Sequence, residues 1–219
     1  MPVAEQLQHI LTSMRQSEAR SGRPPQSVRL IAVSKRQSDE RIDAALASGQ
    51  RIFGENYVQE AQHHWTARRS LYPDLELHMI GPLQSNKVKQ AVMLFDVIQS
   101  IDRPSLVDEL ARVCLRVQKF PKIFIQVNIG DEPQKSGVSL HDLPSLIALV
   151  RSKDLPLAGL MAIPPEECDP VPFFQTMAQL AAEHGLSELS MGMSADFEVA
   201  ISCGATYVRV GQFLFGARE

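Results

Sequence analysis

Eight short apolar segments punctuate this chain, with helical spacing between them. The apolar segments are Arg29–Lys35, Arg51–Glu55, Glu76–Gly81, Leu94–Ile101, Lys122–Asn128, Leu157–Ile163, Leu189–Gly192 and Thr206–Gly211. Helical patterning covers Asp39–Ala47, a stretch through His63 and Ala67, Ser85–Val92, Pro104–Val117, Leu143–Val150, Phe173–His184 and Ala195–Ser202. Strands that alternate with helices run parallel, because each crossover helix returns the chain to the same edge. Eight repeats predict an α/β fold, a single (β/α)8 TIM barrel. An open doubly wound sheet is the alternative, but the chain has no G-x-G-x-x-G and no Walker phosphate loop. Val3, Leu7, Ile10, Leu11 and Met14 form the stripe of an extra N-terminal amphipathic helix. Little chain follows the eighth strand, so this helix is expected to cover the gap.

At 219 residues, with no long polar linker, the chain reads as one domain over 1–219, with a helix at 1–20 and the barrel at 28–216. A formal net charge of -3 leaves no basic footprint for nucleic acid. No apolar run is long enough to span a bilayer, and the first residues do not read as a signal peptide. Cys114, Cys168 and Cys203 form no C-x-x-C pair, so neither a disulfide scaffold nor a thiolate zinc site is expected. A reduced, cytoplasmic setting fits that usage.

In a barrel the carboxyl ends of all strands meet on one face, and that is where TIM barrels place their chemistry. Lys35 ends the first strand and Arg209 lies within the eighth. Alternation puts Tyr207, Arg209 and Gly211 on one strand face and Val208 and Val210 on the other. A buried arginine cannot shed its charge and needs a partner, either a ligand or a carboxylate such as Asp196 or Glu198. Ser190 and Gly211 read equally as phosphate contacts and as turn residues, and Ser194 reads as a helix cap. Neighbouring strands are about 4.8 Å apart, so strands seven to one span roughly 10 Å. A ligand with a phosphate, a ring and an aldehyde fits that span. Pyridoxal 5′-phosphate has this layout, with Lys35 as the Schiff-base lysine and Arg209 facing the ring nitrogen.

Other polar residues read as structural. His63 and His64 point apart on one helix, so no metal site is expected, and His78 reads as a packed strand residue. Lys87 and Lys89 read as solvated, and Lys135 as a solvent-facing loop lysine.

Several ordered motifs resemble one family. They are Ala32-Val33-Ser34-Lys35, Phe53-Gly54-Glu55-Asn56-Tyr57-Val58-Gln59-Glu60, and His78-Met79-Ile80-Gly81-Pro82-Leu83-Gln84-Ser85-Asn86-Lys87. Val127-Asn128 with Lys135-Ser136-Gly137, Gly159-Leu160-Met161, the run from Leu189 to Glu198, and Val208-Arg209-Val210-Gly211 with Phe215-Gly216 complete the set. From about Val28 to Arg218 the chain resembles the pyridoxal phosphate homeostasis protein family. The resemblance implies a barrel like the alanine racemase N-terminal domain, with Lys35 holding the cofactor. It implies that Ser190, Gly211 and Gln212 contact the phosphate, that Arg209 meets the pyridine nitrogen and that Asn56 lines the pocket. Many members carry threonine where this chain has Gln212, which leaves the backbone N–H but not a hydroxyl. Pro82 stands where relatives often have histidine.

Two functions follow from that resemblance. One is a non-catalytic binder that stores, buffers or delivers pyridoxal phosphate in vitamin B6 homeostasis, with apo-enzymes as recipients. The other is a small racemase-like enzyme. The binder is favoured, because the related racemase draws its second base, a tyrosine, from a separate β-domain. The lack of that domain also points to a monomer, and Tyr57 is an acid or base for the second reading if it faces the pocket.

Overall fold

The apolar segments close into one barrel of eight parallel strands in sequence order, β1 through β8. The computed structural model describes residues 2–216; the expected domain ends at Met1 and at Ala217 to Glu219, and the resemblance limit at Arg218, lie outside the described residues. The strands are β1 (Arg29–Val33), β2 (Ile52–Glu55), β3 (Glu76–Met79), β4 (Val97–Ile101), β5 (Lys122–Val127), β6 (Leu157–Ala162), β7 (Glu188–Ser190) and β8 (Tyr207–Val210). The helices are α1 (Val3–Arg20), α2 (Asp39–Ala47), α3 (Val58–Trp65), α4 (Arg68–Leu71), α5 (Val88–Leu94), α6 (Pro104–Val117), α7 (Leu143–Ser152), α8 (Val171–Glu183), α9 (Phe197–Ser202) and α10 (Gln212–Phe215). No helix among the described residues is long and apolar enough to cross a membrane.

Alternation along each strand sorts the residues. Val208 and Val210 pack outward against the helices, whereas Tyr207 joins Ile31, Val97, Phe124 and Met161 in a separate cluster inside the barrel. Arg209 is also buried, as the strand parity requires.

Several boundaries differ from the sequence reading: β3, for example, ends at Met79 rather than Gly81, and β7 covers Glu188–Ser190 rather than Leu189–Gly192. The first strand ends at Val33, not at Lys35: Ser34 still donates its N–H to Gly54 O at 3.0 Å, but Gln37 N–H then bonds back to Ser34 O at 3.1 Å. Lys35 therefore sits in a tight turn, and the following Arg36 takes a left-handed φ of 56°. The fourth strand starts at Val97, because Leu94 completes α5 and Phe95 N–H still bonds to Ala91 O. The helix expected over Ser85–Val92 divides into a 3₁₀ turn at Ser85–Lys87 and α5. The single turns α4 and α10 escape the sequence reading because each is only four residues long.

The N-terminal helix covers the seam as expected. Leu7, Ile10 and Met14 are buried where α1 meets α2, α9 and α10. Each such side chain contributes about 1.5–3 kcal/mol by leaving water. Polar ties fix the same helix. Arg20 pairs with Glu198 at 2.7 Å, and Ser13 also donates to Glu198. Glu18, fully buried, accepts the N–H of Gln26 at 3.0 Å and of Val28 at 2.8 Å, together with Arg15 at 2.6 Å. Burial works against its charge, but Arg15 and these N–H groups hold the Glu18 carboxyl below its ordinary range. One carboxylate thus fastens the entry into β1.

Candidate functional site

The carboxyl ends of the strands gather the polar residues. Arg209 is 5% exposed and reaches across from β8, donating to Ser190 Oγ at the end of β7 at 2.8 Å and to Ala162 O at the end of β6 at 2.9 Å. Neither carboxylate considered from sequence hydrogen-bonds it. Asp196 instead accepts the N–H of Met193 at 2.6 Å, and Glu198 is engaged by α1. Burial lowers the Arg209 pKa to about 10, with the field of Asp196 opposing the shift, so the guanidinium stays charged at neutral pH. A buried cation on two neutral acceptors suits a ligand that accepts hydrogen bonds or carries negative charge.

Lys35 is half-buried in its turn. Both neighbours of Lys35 are tied down. Ser34 Oγ donates to Glu55 Oε1 at 2.7 Å, and the N–H of Arg36 donates to Glu60. Glu55 is fully buried, and its Oε1 also meets His64 Nδ1 and Trp65 Nε1, each at 3.0 Å. Burial disfavours the charged imidazole of His64, but the Glu55 carboxylate outweighs it and raises the pKa. Glu55, Glu60 and His64 bring their ligand atoms within 4.8 Å of one another. Internal donors take up Glu55 Oε1, whereas Glu55 Oε2 is buried with no hydrogen-bond partner; the bonds on Oε1 make the cluster a knot that holds the lysine turn.

Gly211 follows β8 at once. A side chain there would come 3.2 Å from Val33 Cβ and 3.3 Å from Val33 O, so the glycine serves the packing of β8 on the end of β1. Gln212, with an exposed side chain, opens α10; the N–H groups of Leu214 and Phe215 bond back to Gly211 O at 3.0 and 2.9 Å, so the donors at the start of this turn are those of Gln212 and Phe213. Asn56 lines a mouth cavity of about 220 Å³ with Gly81, Gln126, Asn128, Lys135 and Ile163. Lys35, Ser190, Arg209, Gly211 and Gln212 lie outside that lining. Lys135 is not a free loop lysine: it pairs with Glu132 at 2.6 Å and donates to Pro164 O at 3.2 Å.

Sequence reasoning missed a polar column beneath Arg209. Ser190 Oγ donates to Gln99 Oε1 at 2.6 Å, Gln99 Nε2 contacts His78 Nδ1 at 2.7 Å, and His78 Nε2 contacts Glu76 Oε1 at 2.6 Å. Ser190, Gln99 and His78 are all buried. The signal was present in the parity of their strands. Gln99 shares a face with Val97, and His78 shares one with Glu76, so all point inward.

Residues 6–219 match the family model described as alanine racemase, N-terminal domain. The chain is 39% identical to the pyridoxal phosphate homeostasis protein of Vibrio alginolyticus, over 99% of this chain and 98% of that protein. It is also 39% identical to the protein so described from Escherichia coli strain K12, over 99% and 97%. Among solved structures, PipY of Synechococcus elongatus with pyridoxal phosphate bound is 38% identical, covers 98% of this chain and 100% of its own, and superposes with a TM-score of 0.82. An alanine racemase from Clostridium difficile, 11% identical, covers 97% of this chain and 57% of its own with a TM-score of 0.75, and so shares the fold. On whole-length identity of this order, the chain belongs to the pyridoxal phosphate homeostasis protein family, on the barrel of the alanine racemase N-terminal domain.

Proposed function

We propose that this protein binds pyridoxal 5′-phosphate and holds it for vitamin B6 homeostasis in the cell. The observation that carries the reading is 38% identity, over 98% of this chain, to a structure with pyridoxal phosphate bound. The donor set at the barrel mouth fits the cofactor. Its chemical contribution is an aldehyde carbon, with which a lysine amine condenses and releases one water. Lys35 supplies that amine from a turn whose flanks are fixed by Glu55 and Glu60. Arg209 can only donate, so it would hold a ring nitrogen that accepts, in its unprotonated form. Ser190 serves through Arg209, because its hydroxyl is already taken up by Arg209 and Gln99. The backbone N–H groups of Gly211 and Gln212 would hold the phosphate, and Asn56, which lines the mouth cavity, would border the cofactor.

Holding is favoured over catalysis. The homeostasis relatives match over 97–98% of their own length, whereas the racemase that shares the barrel matches over 57% of its length. Tyr57 is exposed at 51% and lines a different cavity with Pro82, Gln84 and Lys87, so it makes a poor second base. The recipients in this reading are apo-enzymes that need the cofactor.

The test is spectroscopic. Protein mixed with pyridoxal phosphate should show an absorption band distinct from the free cofactor, and borohydride should fix the cofactor to the chain. Lys35→Ala should lose both. A variant that still traps cofactor under borohydride rejects Lys35 as the anchor. Turnover of any amino acid in a broad panel, read by chirality or keto-acid release, would favour the enzyme reading.

A further inference from the structure

The column under Arg209 has a direction, and its two ends force it. Arginine has only donors and a carboxylate has only acceptors. Arg209 donates to Ser190 Oγ, whose proton goes to Gln99 Oε1. The Gln99 amide then points Nε2 at His78 Nδ1, and His78 Nε2 meets Glu76 Oε1. Tyr207 donates to the same carboxylate oxygen at 3.4 Å. Reversing the Gln99 amide would need a proton on His78 Nδ1. The imidazole would then face Glu76 either with a bare nitrogen or as a cation. Burial pushes the His78 pKa down, and the bond from His78 helps hold Glu76 below its ordinary range, so a neutral imidazole faces an ionised carboxylate. Only the Nε2–H form of His78 satisfies both neighbours. Every bond in the column therefore points the same way, from the carboxyl face of the barrel to its amino face.

The amino face is where this chain of bonds is anchored. Arg29 lies 4.0 Å over the Tyr207 ring and pairs with Glu188 at 3.0 Å, and Lys122 approaches Glu188 at 3.7 Å. The fields of Arg29 and Asp96 also reach His78, and those of Arg29 and Lys122 reach Glu76. The Tyr207 ring packs edge-on against His78 at 5.2 Å between centroids.

We propose that Gln99, His78 and Glu76 are positioning residues for Arg209, a donor-directed chain that fixes the guanidinium at the floor of the cofactor site. The inference rests on reading that site as one for pyridoxal phosphate. The chain spans strands β3, β4, β7 and β8, so it couples the group at the ring nitrogen to the far mouth of the barrel.

The first arm of the test uses wild-type protein labelled with ¹⁵N at histidine. Before cofactor is added, His78 should appear as the neutral Nε2–H form and stay neutral at pH values where a free histidine protonates. Adding pyridoxal 5′-phosphate should move its nitrogen signals, although Ser190 and Gln99 stand between His78 and Arg209. An Nδ1–H form, or signals unmoved at saturation, overturns the proposal. The second arm compares His78→Leu with His78→Gln. Glutamine can accept at one atom and donate at the other, so His78→Gln should keep the wild-type cofactor spectrum. His78→Leu should shift the pH midpoint of the bound-cofactor band by roughly half a unit or more. A folded His78→Leu that binds cofactor and titrates as wild type overturns the proposal and leaves the binding reading intact. If His78→Leu does not fold, the wild-type arm decides. Wild-type protein that binds no pyridoxal phosphate overturns both readings, while the Nε2–H form seen before cofactor reports on bond direction alone.

Discussion

Three donors converge on Glu55 Oε1: Ser34, His64 and Trp65. Removing the carboxylate by Glu55→Ala leaves a hydroxyl, an indole N–H and an imidazole buried without it. Breaking a buried pair of this kind costs about 3–5 kcal/mol. Urea unfolding should read that loss, and cofactor affinity should fall with it because Ser34 flanks Lys35. A loss below about 1 kcal/mol would mean the knot is dispensable. The His64 partner adds a pH signature. Its folded pKa is raised above the ordinary 6.5, so the native state binds the extra proton more tightly than the unfolded chain. The stabilisation is fully present below about pH 6.5 and disappears as the pH rises through the elevated folded value. His64→Gln should therefore narrow the urea-midpoint gap between mildly acid and alkaline buffer; an unchanged gap would contradict the pairing. At this scale the sequence was legible in part. Lys35 and Arg209 stood out by type and strand position. The partners of Glu55, Gln99 and His78 did not, because they come from strands and helices whose mutual register no single segment encodes.

The strands and helices themselves were legible, since apolar runs with helical spacing between them force a parallel sheet. Their ends were not. Ladder bonding sets a strand end, and β1 leaves the ladder after Ser34, so the lysine expected on the strand falls in a turn. The α6 helix was read correctly at Pro104–Val117, because proline marks its first turn and six buried apolar side chains mark its inner face. Close strand approach makes one glycine decisive. Gly159 in β6 is paired with Glu188 of β7, and an added Cβ would lie 1.9 Å from Glu188 O and 2.6 Å from its carbonyl carbon. Backbone, not a flexible side-chain tip, would have to move. Gly159→Ala should cost about 3 kcal/mol or more, the upper end of overpacking. A thermal melt by circular dichroism checks it; a wild-type midpoint would show that β6 and β7 can separate cheaply.

Barrel closure gives the molecule its remaining logic. Among the described residues the single-turn helix α10 alone follows β8, and α1 fills the outside of the β8–β1 seam. The helix packs against α10, whose first turn carries the proposed phosphate donors, and against α9, which follows the loop carrying Gly192 and Met193. From sequence the apolar stripe foretold a docked helix, but not the polar ties from Glu18, Arg20 and Ser13 that set its position. If α1 is integral, loosening it should weaken the fold and the site together. Ile10 is fully buried on that face, and Ile10→Ala should cost about 2–5 kcal/mol through the cavity it leaves. Unfolding followed by far-ultraviolet circular dichroism and by the bound-cofactor band should then shift to lower urea with one shared midpoint. A detachable α1 would give a different result: an early helical transition that leaves the cofactor band in place. That separation would make the seam, and not the N-terminal helix, the element that keeps the cofactor site closed.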